Sequence, residues 1–315
     1  MLCLVTGAAG FIGSSLCDRL LAEGHQVRAI DSFVEYYPRA VKLRNISRAR
    51  DHKAFEFLSE DLVTTDMARL LDGVEWVFHQ AAQAGVRASW GKYFDTYVNN
   101  NIVATQRLLE AARSSTSLKK IVYASSSSVY GNAETFPTSE RVLPQPVSPY
   151  GVSKLAAEHM MSLYAVEAGL PTVSLRYFTV FGPRQRPDMA FNRFLRAALC
   201  GQELVVYGDG QQTRDFTYVG DIVDANLLAA RHAGAGRIYN IGGGPHASVN
   251  EVLGVLEKIA GSLRVRREER QRGDARHTCA DISLAAQELN FAPRVSIEEG
   301  LKHEMTWLEQ ELKAQ

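Results

Sequence analysis

Short apolar, β-favouring runs alternate with longer amphipathic stretches through the first half of the chain. The runs at residues 2–6, 25–30, 54–58, 76–79, 120–124 and 171–177 predict strands. Between them, the stretches ending at residue 22 and spanning 65–71, 93–112 and 153–168 predict helices. Strands alternating with helices imply an α/β fold built on a doubly wound parallel sheet, with ligands bound beyond the carboxyl ends of the strands. After Tyr177 the pattern changes. Residues 181–188 read as a loop, 189–200 as a helix, and 204–207 and 215–218 as short strands. Residues 237–241 can rejoin the parallel sheet, and helices follow at 249–259 and 297–312. This divides the chain into a sheet domain, 1–182 with a returning segment of about 217–247, and a smaller α/β C-terminal domain, 183–216 and 248–315. The smaller unit supplies substrate contacts, and the chain crosses back to the sheet once.

A length of 315 residues suits such an arrangement, and 46% hydrophobic residues suit a packed core. Zero formal net charge gives no sign of a nucleic-acid partner. Cys3, Cys17, Cys200 and Cys279 are scattered, with no Cys-x-x-Cys, and read as small hydrophobes in a reducing compartment. No apolar run reaches the roughly eighteen residues needed to span a bilayer, and the N-terminus enters a strand without the look of a signal peptide. A cytoplasmic location is the default expectation.

The first predicted strand runs directly into Gly7-Ala8-Ala9-Gly10-Phe11-Ile12-Gly13 and then a helix. Glycines so placed permit a tight turn, let backbone approach a pyrophosphate and let the helix pack on the strand, while the helix N-terminus faces the phosphates. Asp31, ending the second strand, is placed to accept hydrogen bonds from adenosine ribose hydroxyls. A carboxylate there would repel a 2′-phosphate, so NAD is expected rather than NADP. Asp61 is placed to reach adenine, and the small residues of Gln80-Ala81-Ala82-Gln83-Ala84-Gly85 can lie against a dinucleotide. All of these, with the serine run Ser125 to Ser128, fall at predicted strand ends.

Tyr150 and Lys154 are four apart at the start of a predicted helix, so their side chains share one face. A tyrosine needs a shift of roughly three units from its reference of about 10, about 4 kcal/mol, to act as a base at neutral pH. A cation at about 4 Å contributes on that order at an effective dielectric near 20. Lys154 is one such charge, and an oxidised nicotinamide would be a second.

Together the motifs resemble the extended short-chain dehydrogenase/reductase family, and within it the nucleotide-sugar epimerases. The resemblance spans nearly the whole chain: the Thr6-to-Gly13 fingerprint, Asp31, Asp61-Leu62, the serine run, Tyr150/Lys154, Arg176-Tyr177-Phe178 and Tyr207-to-Asp215. It implies a Rossmann sheet and a tightly held NAD regenerated at each turnover, contacted by Leu62, Ala81, Ala82, Gln83, Asn99 and Tyr177 besides the residues above. It implies Tyr150 as acid/base, Lys154 on the nicotinamide ribose, and Ser126 on the sugar hydroxyl being oxidised. Uridine diphosphate would be held by Phe191, Val205, Tyr207, Arg214 and Asp274, with either Arg272 or Arg276 reaching the phosphates. The helices at 93–112 and 153–168 resemble the family's four-helix dimer interface, implying a homodimer.

Related dehydratases and decarboxylases carry an acidic side chain one or two positions after the residue matching Ser126, where this chain has Ser127 and Ser128. Elimination needs an additional positioned acid and base, so 4-epimerisation is the expected outcome. Glu35-Tyr36-Tyr37, Gln83-to-Arg87 and Arg186-to-Ala190 resemble bacterial UDP-glucuronate 4-epimerases, and Thr179 stands where galactose epimerases usually carry Asn. A sugar carboxylate calls for charge-assisted donors, for which Ser127, Ser128, Thr179, Arg186 and Arg87 are candidates. A UDP-glucuronate decarboxylase, a neutral-sugar 4-epimerase and a non-catalytic NAD-binding regulator are the competing readings.

Overall fold

The first strand, Leu2–Thr6 (β1), is buried from Cys3 onward, as suits a run without a polar face in a sheet covered by helices on both faces. The structure is a computed structural model and describes residues 1–244, 246–269 and 276–313. After β1 come α1 (Phe11–Ala22), β2 (Gln26–Ile30), α2 (Arg39–Asn45), α3 (Ser47–Arg50), β3 (Phe55–Leu58), α4 (Met67–Leu71) and β4 (Trp76–His79). Next are α5 (Phe94–Tyr97), α6 (Ala104–Ala112), β5 (Lys120–Ser126), α7 (Pro149–Ala168), β6 (Thr172–Tyr177), β7 (Val180–Phe181), α8 (Ala190–Leu199) and β8 (Glu203–Tyr207). The chain ends through β9 (Thr213–Asp215), β10 (Thr217–Tyr218), α9 (Val219–His232), β11 (Arg237–Ile241), β12 (His246–Ser248), α10 (Val249–Ala260), β13 (Arg264–Glu268), α11 (Ser283–Leu289) and α12 (Ile297–Lys313).

Among the described residues the central sheet has seven strands, in the order β11-β6-β5-β4-β1-β2-β3, and every neighbouring pair is parallel. Strand order reverses between β1 and β4, which opens the crevice where such sheets bind ligands. Thr6 pairs with both Ile30 and His79, so the carboxyl ends of β1, β2 and β4 stand level at that crevice. One apolar cluster, including Leu16, Leu20, Ile222 and Ala225, packs α1 and α9 on one face. Another, including Leu70, Leu108, Ala157 and Met161, packs α4, α6 and α7 on the other.

Two glycines need their lack of a side chain. Gly7 turns with φ +65°, and a Cβ on Gly13 would stand 2.2 Å from the Gly7 carbonyl oxygen. The close helix-on-strand packing predicted for the fingerprint is therefore present.

The helix predicted over 93–112 is not continuous. A π-helical turn, Val98–Val103, separates α5 from α6. Asn101 in that turn is buried; its side chain accepts from the Gln83 N–H at 2.7 Å and donates to the Ser153 hydroxyl at 2.8 Å.

A third cluster, including Phe181, Phe191, Leu195, Val206, Phe216, Leu253 and Leu301, joins α8, β8, α10 and α12 beside the sheet. Glu304 is fully buried in this region, and its carboxyl accepts from the Gly182 N–H at 2.9 Å. Burial pushes that carboxyl well above the usual range, and the Gly182 N–H acts against the rise. Strand β13 was not expected, because Arg264-Val265-Arg266-Arg267-Glu268 shows almost no apolar alternation; it pairs with β8 through its backbone. The expected single crossing also needs correcting. Ala285, Leu289 and Phe291 from α11 and its exit pack in the sheet's own core, so the chain returns to it once more.

Candidate active site

Two cavities meet over the carboxyl edge of the sheet. The first, of about 230 Å³, collects Gly7, Gly10, Phe11, Ile12, Gly13, Asp31, Asp61, Leu62, Ala81, Ala82, Gln83, Tyr150, Lys154 and Tyr177. The second, of about 830 Å³, collects Arg87, Ser126, Ser127, Ser128, Thr179, Arg186, Phe191, Val205, Tyr207 and Arg214. Phe11, Ser125, Tyr150, Tyr177 and Arg186 line both. Asp274 and Arg272 lie outside the described residues. Arg276 lines the second cavity. Asn99 is not brought to the site: it is exposed, and Asn100 lines the first cavity instead. The wider π turn displaces the helix face that regular α winding would present.

The first cavity fits a dinucleotide. Its floor is the glycine turn, with a Cβ on Gly7 only 2.8 Å from the Ala81 backbone, so two strand ends approach as closely as main chains allow. The Asp31 carboxylate accepts from the Ala9 N–H at 3.1 Å and the Phe33 N–H at 2.8 Å, which fixes it against the turn. Lys42, buried and 3.9 Å from Asp31, is a neighbour the sequence reading did not single out. Fully buried His79 ties the crevice together, its Nδ1 2.8 Å from the Thr6 hydroxyl and its Nε2 2.9 Å from the Thr105 hydroxyl. Burial, and then the nearby Lys154 charge, push His79 down to about 3, so it remains neutral.

Helix α7 places Tyr150 and Lys154. The Ser148 hydroxyl caps it by accepting from the Gly151 N–H at 3.1 Å, and Pro149 opens its first turn. The Ser153 hydroxyl donates to the Tyr150 carbonyl at 2.8 Å and is itself held by Asn101, so the first turn of α7 is braced from the π turn between α5 and α6. The Tyr150 ring meets Tyr97 edge-on at 6.3 Å. Burial raises the Tyr150 phenol; a hydrogen bond from Ser126 and the charge of Arg186 pull it back down. Lys154 is 3% exposed, with its Nζ 4.5 Å from the centre of the Tyr123 ring. Burial pushes the ammonium down to about 7, against which the Glu158 carboxylate acts. The protein alone thus leaves the phenol protonated and the lysine near its midpoint at neutral pH.

Beneath the site runs a buried ionic chain. Arg176 donates to both Glu158 oxygens, at 2.6 and 3.0 Å, and to the Tyr130 hydroxyl at 2.6 Å. The Ser125 hydroxyl donates to Glu158 at 2.6 Å, and Tyr130 donates to Asn240 at 2.8 Å.

In the second cavity, the Arg87 and Arg193 guanidiniums stand 4.6 and 5.8 Å from the Tyr207 ring centre. Arg193 escaped the sequence reading; its only signal is its place on the strongly amphipathic α8, one turn past the Arg186-to-Ala190 motif. Arg214 spends Nη1 on the carbonyls of Thr213 at 2.7 Å and Arg276 at 3.0 Å, which joins β9 to the segment after residue 275.

A doubly wound sheet whose switch point holds a glycine turn, with a tyrosine and lysine four apart lining the same cavity, defines the extended short-chain dehydrogenase/reductase type. The chain belongs to the NAD dependent epimerase/dehydratase family, whose profile matches residues 3–242. It is similar to the UDP-glucuronic acid 4-epimerase from Bacillus cereus solved with UDP-glucuronic acid and NAD, with TM-score 0.95 and 44% identity over 98% of this chain and 99% of that one. An uncharacterized UDP-glucose epimerase of Bacillus subtilis (strain 168), YtcB, is 46% identical over 309 residues, 97% of each chain. The UDP-glucuronate 4-epimerase of Thermodesulfobacterium geofontis is 36% identical over 317 residues, 98% of this chain and 97% of that one.

Proposed function

We propose that this chain is an NAD-dependent isomerase that interconverts UDP-glucuronate and UDP-galacturonate at carbon 4 of the sugar. The observation that carries the reading is Tyr150 at the wall common to both cavities, with Ser126 hydrogen-bonded to its phenol. NAD, when bound, supplies the acceptor and then the donor of the carbon-4 hydride, and its positive ring adds to the charges around Tyr150. Gly7, Gly10 and Gly13 with the start of α1 would hold its pyrophosphate, Asp31 its adenosine ribose, and Lys154 its nicotinamide ribose. Tyr150 takes the proton of the carbon-4 hydroxyl and later returns it, and Ser126 orients that hydroxyl. The 4-keto sugar turns between the two proton transfers and presents its other face. Phe191, Val205, Tyr207 and Arg214, with Arg193 and Arg276, would hold the uridine diphosphate.

The substrate class follows from the lining near Tyr150. Ser127, Ser128, Thr179 and Arg186 offer hydroxyl and guanidinium donors to a carboxylate on carbon 5. No acidic side chain follows Ser126 in the serine run, which removes the extra acid/base that elimination would need. A 4-keto glucuronate is a β-keto acid, and the hydroxyls would hold its carboxylate so that the breaking bond stays out of line with the carbonyl π system. Incubation of the protein with UDP-glucuronate and no added NAD is expected to give UDP-galacturonate of unchanged mass. Ser127→Ala or Thr179→Val is expected to raise UDP-pentose by-product several-fold. Mass loss of carbon dioxide in the parent would make it a decarboxylase, and variants that are only slower would remove the carboxylate-holding role.

The name of the Bacillus subtilis relative favours a second reading, 4-epimerisation of UDP-glucose. Parallel turnover of UDP-glucose and UDP-glucuronate decides between them. For assembly we infer a homodimer: Val152, Leu163 and Val166 are exposed on one face of α7, 47%, 55% and 79% respectively, as an unpaired helix face would be. Sedimentation at the mass of one chain would overturn this. A cytoplasmic setting is supported by Cys3, Cys17, Cys200 and Cys279 all being free thiols. No helix among the described residues is long and apolar enough to cross a membrane.

A further inference from the structure

Arg186 lines both cavities, and its positive charge favours the ionised form of Tyr150. Its guanidinium is already engaged on one edge: Nε and Nη2 each donate to Asp188, at 3.0 Å and 3.0 Å. The Tyr36 hydroxyl, from the loop after β2, donates to the same carboxylate at 3.4 Å. Tyr36 in turn seats on Gly85, where a Cβ would come within 2.2 Å of its hydroxyl oxygen. Three loops, following β2, β4 and β7, therefore fix the position of one carboxylate. Asp188 itself lines only the sugar cavity and is 40% exposed, against 19% for Arg186.

A guanidinium binds carboxylates through two edges, and a side-on pair through Nε and Nη2 leaves the edge bearing Nη1 available. Asp188 then does two things to whatever approaches that edge. It holds the planar group in one orientation, and it offsets part of the positive charge that an anionic sugar would meet.

We propose that Asp188 is a specificity-determining positioning residue: acting through Arg186, it sets how strongly the sugar cavity prefers an anionic UDP-sugar over a neutral one. The proposal rests on the reading of the second cavity as the sugar site and deepens it. Asp188→Asn keeps an acceptor for Arg186 and removes the charge. It is expected to lower the KM for UDP-glucuronate about fivefold, the effect of deleting one partly screened like charge nearby, and to leave the KM for UDP-glucose within twofold. Asp188→Glu, which restores the charge, is expected to return the UDP-glucuronate KM to within twofold of the parent. A loss of fold or loop order would move both substrates together, and that result overturns the proposal. So does an unchanged or raised KM for UDP-glucuronate in Asp188→Asn. Binding constants for the two nucleotide sugars, measured by calorimetry on the same proteins, carry the same comparison if the parent turns over neither. Failure of the proposed activity and failure of the Asp188 role are thereby told apart.

Discussion

Replacement of Tyr150 by phenylalanine is expected to lower kcat about a thousandfold while leaving bound NAD and the KM for the UDP-sugar within a few-fold of the parent. Only one oxygen is lost, and the ring keeps its edge-on seat against Tyr97 at 6.3 Å. Positioned acid/base groups contribute about 10²- to 10⁴-fold, and here a single group serves both proton transfers. The phenol starts from an unfavourable place, because burial raises it more than Ser126 and Arg186 lower it. Bringing it down to neutral pH, even from the ordinary value of about 10, requires about 4 kcal/mol of extra stabilisation of the phenolate, so the positive ring of a bound oxidised nicotinamide is needed beside Ser126 and Arg186. Steady-state product formation, with cofactor released by denaturation and counted spectroscopically, checks both halves. A phenylalanine variant keeping a tenth of parental activity would take Tyr150 out of this role.

Removal of the Glu158 side chain is the substitution expected to cost most in stability. Glu158 and Arg176 have side chains 1% and 4% exposed and are paired at 2.6 Å. Glu158→Ala would leave the guanidinium buried without its counter-charge and the Ser125 hydroxyl without its acceptor, for a loss of about 3–5 kcal/mol. Glu158→Gln is the gentler probe and carries a functional sign. Lys154 is pushed down to about 7 by burial and held up by Glu158, so removing that negative charge lowers it further. The fraction of charged lysine then falls at lower pH, and the alkaline limb of kcat/KM is expected to shift to lower pH. Denaturant unfolding measures the first effect and a pH–rate profile the second. If Glu158→Gln left the profile in place, Glu158 would be structural only. Replacing Glu158 and Arg176 together by Leu and Met should cost less than Glu158→Ala, because no orphaned charge remains.

The sheet and its edge were legible because their signals are local. Strand-turn-helix sequences such as Val5-Thr6-Gly7 into Phe11 specify their own geometry, and the parallel order follows from alternation. The serine run, Tyr150 and Lys154 were legible because four-residue spacing on a helix fixes a shared face. What escaped depends on contacts made across the fold. Asn99, assigned to the cofactor by the resemblance alone, gives way to Asn100 at the first cavity, and nothing in Val98-Asn99-Asn100-Asn101 announces a π turn. Arg193 and Lys42 look like solvated charges on short helices until β8 and β2 come up against them. The strand at Arg264–Glu268 hides because its side chains are mostly charged and exposed, pairing at the surface as Arg266 does with Glu203, so no apolar alternation marks it.

The π turn at Val98–Val103 also bears on how this chain can change over time. Its extra residue lets Asn101 grip both Gln83 and Ser153 while Thr105, four positions on, still reaches His79. Losing or gaining one residue here would rotate everything on one side of the event by roughly 100°, so those holds could not all survive. Exchanges of side chain on the outer surface of this segment should be freely accepted, whereas its length should behave as fixed, and grafts or shortened versions of the protein ought to be joined elsewhere.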